Sequence, residues 1–122
     1  MIIVHGTFPI KSAVRDDALE LMRHMAAASR EEEGCITYEF YVGLSDPNML
    51  MLFQEWESVD ALQGHFETDH MEAFLQELPH VLDGKVATRR YEVKISDDAG
   101  LGAADFEPEV MSQFEEREKI VH

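Results

Sequence analysis

Glu33-Gly34-Cys35-Ile36-Thr37-Tyr38-Glu39-Phe40-Tyr41, followed after a short gap by Met49-Leu50-Met51-Leu52-Phe53-Gln54-Glu55-Trp56-Glu57-Ser58, is the stretch that decides the fold. Gly34 suits the left-handed conformation that ends a helix, because it has no Cβ to clash. Cys35 to Val42 is rich in aromatic and β-branched residues and predicts a strand. Gly43-Leu44-Ser45-Asp46-Pro47-Asn48 is dense in turn formers, and Met49 to Trp56 predicts a second strand. Together they make an antiparallel hairpin. The run Met49–Phe53 shows no polar alternation, whereas a strand with one wet face should alternate. It is therefore expected to be buried on both faces, by helices on one side and by a partner's sheet on the other.

Upstream, Ile2-Ile3-Val4-His5-Gly6-Thr7-Phe8 predicts a strand that Pro9 ends or edges. A helix is expected from about Ser12 to Glu32, with Ser12 as N-cap and Asp16 and Asp17 near its positive end. Val14, Ala18, Leu21, Met22 and Met25 fall on one apolar stripe. Downstream, Ser58 or Asp60 opens a short helix ending near Gly64. Thr68 caps a longer one, with Met71, Phe74, Leu75, Leu78 and Leu82 in helical register, and Asp83-Gly84 stops it. Val86 to Ile95 is the last strand. The order is β-α-β-β-α-β, the ferredoxin-like arrangement of the α+β class, with an antiparallel sheet. We divide the chain into a domain over 1–95 and an acidic extension over 96–122. The extension is expected to consist of a linker, Asp97–Ala104, and a short helix, Glu107–Ile120, whose Val110, Met111 and Phe114 share a face.

The chain has 122 residues, enough for one core, and a hydrophobic fraction of 45%. No apolar run approaches the roughly 20 residues of a membrane span, and no basic-then-apolar leader suggests secretion. Cys35 is the single cysteine, so no intrachain disulfide forms and a cytoplasmic setting is expected. The net charge of −15 argues against nucleic acid and anionic membranes as partners. It is uneven: 17 acids against 8 bases in residues 1–95, and 8 against 2 in residues 96–122.

Trp56 stands at a strand end just before a helix start, and reads either as a core anchor or as the wall of a pocket for a flat aromatic molecule. His65 and His70 flank the junction of the two helical pieces. On one continuous helix they would point about 140° apart, but a break at Glu67-Thr68 removes that restriction. Histidines so placed are candidate bases for a phenol or hydroquinone, or else surface and core histidines. No third ligand stands at a recognisable spacing, so no metal site is read here. His5 lies mid-strand, sharing its face with Ile3 and Thr7. Tyr38 and Tyr41 face opposite sides of their strand, one toward a pocket and the other toward a dimer interface. Cys35 follows a helix and is read as packing. Arg89 or Arg90 is expected to pair with Glu39 or Glu55. Dinucleotide, phosphate-loop and nucleophile-elbow signatures are absent.

The order Gly34, aromatic strand, Gln54-Glu55-Trp56-Glu57-Ser58, His65, His70 resembles the antibiotic biosynthesis monooxygenase family of dimeric α+β barrels, over roughly residues 1–95. The resemblance implies a homodimer joined through its sheets, and a pocket between sheet and helices in each subunit. It also implies oxidation of a small aromatic phenol or hydroquinone by O2 without metal, haem or flavin, hence no cofactor. His65 and His70 would be the catalytic bases, and Trp56, His5 and Tyr38 the substrate-binding residues. By alignment the haem-degrading branch would need its ligand at Leu75, and leucine cannot bind iron. The polyketide branch places Asn, Tyr and Arg where this chain has Leu52, Leu62 and Gln76. Two other readings stay open: a non-redox isomerase or lyase of a small carbonyl metabolite, and a ligand-binding or stress-response module without catalysis.

Overall fold

The computed structural model describes residues 1–94. The elements are β1 (Ile2–Pro9), a 3-10 turn (Ser12–Val14), α1 (Arg15–Arg30), β2 (Cys35–Val42), β3 (Met49–Trp56), α2 (Val59–Phe66), α3 (Asp69–Val81) and β4 (Ala87–Glu92). The sheet order is β2-β3-β1-β4, and each neighbouring pair is antiparallel. This is the ferredoxin-like α+β fold expected from the sequence. The proposed helix Glu107–Ile120 and its linker lie outside the described residues.

Strand alternation gives the sheet two unlike faces. Ile2, Val4 and Phe8 of β1, Tyr38 of β2, and Leu50, Leu52, Gln54 and Trp56 of β3 are buried on the inner face. There they meet Ala18, Met22, Met25 and Ala26 of α1, Leu62 of α2, and Phe74, Leu78 and Val81 of α3. The opposite face carries Ile3, His5 and Thr7, which are half-buried, and Met51, Tyr41 and Tyr91, which are exposed. In the single chain the run Met49–Phe53 is thus buried on one face, since the helices cover only that side.

Three local expectations are corrected. Ser12 does not cap α1: it sits in the preceding 3-10 turn, and Val14 stands at the N-cap without a side-chain hydrogen bond. Gly34 lies beyond the C-cap residue Glu31, at the end of a turn. It is still required, with φ +84° and its missing Cβ position only 2.5 Å from the Ala61 Cβ of α2. Glu39 pairs with Arg30 at 2.9 Å, and Glu55 accepts a hydrogen bond from the Thr37 hydroxyl at 2.6 Å. Arg89 and Arg90 stand on β4, which β1 separates from Glu55 on β3 and both β1 and β3 separate from Glu39 on β2. Strand β4 ends at Glu92, where β1 runs out at Ile2.

Candidate functional site

The break between α2 and α3 builds the site. Ser58 caps α2, its hydroxyl accepting from the Ala61 amide at 3.1 Å. Thr68 caps α3, accepting from the Met71 amide at 3.2 Å, while its hydroxyl donates to the His65 carbonyl at 2.8 Å. The chain turns at Glu67-Thr68, and the two histidines converge instead of diverging.

They converge on a residue that sequence reasoning missed. His65 Nδ1 lies 2.8 Å, and His70 Nε2 2.6 Å, from the same oxygen, Glu32 Oε2. Glu32 comes from the turn after α1, where Glu31, Glu32 and Glu33 stand together at the negative end of a helix. Carboxylates are disfavoured there by the helix dipole. That misplaced acidic run is the signal that marks the position, although it does not say which of the three turns inward.

His65 is 1% exposed and wedged among rings: Trp56 at 4.8 Å, Tyr38 at 5.4 Å and His70 at 6.2 Å between centroids. Burial pushes the His65 imidazole below its ordinary pKa. The Glu32 hydrogen bond and charge oppose that shift, and His70 adds slightly to it. A neutral imidazole beside an ionised carboxylate must present its N–H to it. With Glu32 ionised, His65 therefore donates from Nδ1 and His70 from Nε2. In a neutral ring the opposite nitrogen is left as an acceptor.

Trp56 is fully buried and donates from Nε1 to Gln54 Oε1 at 2.7 Å, so its indole N–H is used inside the core. Tyr38 is buried beside it, and burial pushes its phenol well above the usual range. The nearby Ser29 hydroxyl offsets this in part without reaching regular hydrogen-bond geometry. Burial, and next the Glu32 charge, also push the Cys35 thiol up, as suits a packing residue. His5 is not brought to this cluster. It lies on the opposite face of the sheet, with Nε2 3.1 Å from the Tyr91 hydroxyl and the two rings stacked at 5.4 Å.

Two clefts adjoin the cluster. One, of about 200 Å³, runs between α1 and α3 and is lined by Leu21, His24, Met25, His70, Ala73, Phe74 and Glu77. The other, of about 500 Å³, is walled by Glu32, Glu33, Glu57 and Asp60 with Ser58, Ala61, Gly64 and Thr68. His70 opens to the first and Glu32 to the second. Trp56 and His65 line neither; both are buried in the packed interior.

The profile of the antibiotic biosynthesis monooxygenase family matches residues 1–77. An uncharacterized Synechocystis protein, sll1783, is 28% identical over 92 residues, which are 75% of this chain; the chain spans 63% of that relative's length. A conserved protein of Methanosarcina mazei superposes with a TM-score of 0.73 at 27% identity, covering 76% of this chain and 92% of its own. A Deinococcus radiodurans structure named for the same family gives a TM-score of 0.73 at 26% identity, with 79% and 95% covered.

Proposed function

Because this chain belongs to the antibiotic biosynthesis monooxygenase family, we propose that it oxidises a small phenol or hydroquinone with O2, using His70 and Glu32 to remove the phenolic proton. One observation carries the reading: two imidazoles share a single carboxylate oxygen at 2.8 and 2.6 Å, and one of them opens to a cleft. The carboxylate fixes each ring's tautomer and stabilises the imidazolium that forms. The cleft of about 200 Å³ compares with the roughly 150 Å³ that holds benzene in an engineered cavity. Leu21, Met25, Ala73 and Phe74 give it apolar walls.

The reaction needs no cofactor if the substrate is the reductant. Loss of the proton makes the ring electron-rich, and one electron passes to O2. The superoxide and phenoxyl radicals combine at a ring carbon. The peroxide O–O bond then breaks, leaving one oxygen on the ring as a quinone carbonyl and releasing the other as water. For a simple phenol the ring supplies all four electrons and O2 accepts them. The protein contributes orientation and a proton acceptor.

We further propose that the working unit is a homodimer, a second copy covering the outer sheet face. The exposed Met51, Tyr41 and Tyr91 support this. The single free cysteine supports a cytoplasmic setting. No helix among the described residues is long and apolar enough to cross a membrane.

Oxygen consumption with a panel of hydroquinones and phenols, corrected for spontaneous oxidation, tests the activity. His70→Ala and Glu32→Gln should each lower turnover by about 10²- to 10⁴-fold, the scale of a lost general base. Unchanged rates in both variants overturn the assignment. Proton exchange into a carbonyl compound without oxygen uptake would replace it with an isomerase.

A further inference from the structure

We propose that Glu32, His65 and His70 form a binding site for one divalent first-row transition ion of the zinc type. The three donor atoms, Glu32 Oε2, His65 Nδ1 and His70 Nε2, all lie within 4.8 Å of one another. Two imidazole nitrogens and one carboxylate oxygen are a donor set that zinc and non-haem iron accept, whereas magnesium and calcium prefer oxygen alone. An ion about 2.0–2.2 Å from each donor sets neighbouring donors about 3–3.5 Å apart. The present separations of 2.8 and 2.6 Å from the shared oxygen need to open by less than about 1 Å, and the two ring nitrogens, within 4.8 Å of each other, need to close to the same range. Each imidazole then carries its proton on the other ring nitrogen, and the ion takes the place between the three groups. Three donors leave at least one coordination position for water or an exogenous ligand.

Preorganisation supports the site. His65 is held between Trp56 and Tyr38 with 1% exposure. His70 is fixed in the first turn of α3 by the Thr68 cap. Glu32 sits in a turn closed by the Cys35 amide donating to the Glu32 carbonyl at 3.2 Å. Access is also present, since the His70 side chain is 31% exposed. The adjoining cleft of about 500 Å³ presents Glu32, Glu33, Glu57 and Asp60 with no basic residue in its lining, a field that concentrates cations next to the donors. The three ligands come from three elements, 33 and 38 residues apart along the chain.

Ion binding stands apart from the oxidation proposed above, because it is read without substrate or oxygen. An occupied site would turn the acceptor nitrogens of both rings into N–H donors, so the loaded protein would not remove a proton.

The test uses the full chain stripped with chelator and then titrated with Zn²⁺ by calorimetry and with Co²⁺ by visible absorption. The expected result is one ion per chain, with cobalt bands of mixed nitrogen and oxygen ligation. His70→Ala, at a partly exposed position, and Glu32→Gln should each weaken binding by more than about 100-fold, beyond the 10- to 100-fold typical of an outer-shell partner. Circular dichroism would verify that both variants fold. Asp60→Asn should weaken it by only a few-fold. No binding of Zn²⁺ or Co²⁺ at millimolar concentration overturns the proposal. So does binding that His70→Ala leaves unchanged, or that Mg²⁺ competes away at equal concentration, since either result assigns the ions to surface carboxylates.

Discussion

The two faces of one sheet treat histidine in opposite ways. Against the inner face His65, carried by α2, is buried, hydrogen-bonded to a carboxylate and packed against Trp56 and Tyr38. On the outer face His5 stacks on Tyr91 and is half-exposed in the single chain. Both faces are built from apolar strands, and the local sequence around either histidine is unexceptional. The difference lies in what covers them. Helices bring an acid, Glu32, to the inner face, and nothing within residues 1–94 does the same for the outer one. A histidine gains chemistry here from its tertiary neighbours rather than from its strand or helix.

The largest expected effect lies on the inner face. Trp56→Ala should cost about 3–5 kcal/mol in urea unfolding, because a fully buried ring and its hydrogen bond to Gln54 are both lost. Met51→Ala, opposite in the pleat, should cost about 0.5 kcal/mol in an isolated chain. A larger loss at Met51 that shrinks toward this value as the protein is diluted would sharpen the contrast, since it would show a second copy covering that face. Sedimentation at micromolar concentration should then give twice the chain mass, and Met51→Lys should halve it. A wild-type chain that sediments as a monomer breaks the dimer assignment.

Gly34→Ala comes next. Its φ of +84° and the 2.5 Å approach to the Ala61 Cβ both penalise a side chain. The backbone strain alone is of order 1–3 kcal/mol. Since α2 would have to move, the His65–Glu32 contact should loosen too, visible as a shifted His65 imidazole resonance. In the Gly34→Ala background, Ala61→Gly should cost less than it does alone, because it relieves the contact though not the dihedral strain. Strict additivity would mean that the close approach carries no energy.

A smaller loss is expected for Gln54→Leu, about 1–3 kcal/mol, from leaving the Trp56 indole N–H buried without its acceptor. Last comes His5→Phe, which keeps the stack on Tyr91 and removes one hydrogen bond near the surface. Its thermal unfolding should shift by the equivalent of about 0.5 kcal/mol, with oxygen consumption unaltered. A marked loss of activity at His5 would join the two faces functionally and defeat the comparison on which the site rests.

Much of this was legible in the chain. Gly34, the turn at 43–48 and the non-alternating run Met49–Phe53 define the hairpin, and the Ser58 and Thr68 caps fall where local chemistry puts them. Ser12 does not cap α1 because a 3-10 turn intervenes, and hydroxyl preference alone does not distinguish the two. The break at Glu67-Thr68 was visible as a possibility, since Thr68 is a good N-cap. Its consequence was not, because the direction in which two helices leave a cap depends on what they pack against. Likewise, Trp56 shows in sequence as an anchor or a pocket wall, and only its full burial and its bond to Gln54 make it a core anchor.

The sequence by itself determined the element order, the fold class and the acidic net charge, because those follow from periodicity, capping, turn chemistry and composition, all local properties of the chain. Tertiary structure alone decided that His5 stands away from the site and that Glu32, one of three consecutive glutamates, closes on both histidines. That choice is set by the angle at which α1 ends against the α2–α3 junction. Contacts between groups 33 and 38 residues apart have no local signature from which to be read.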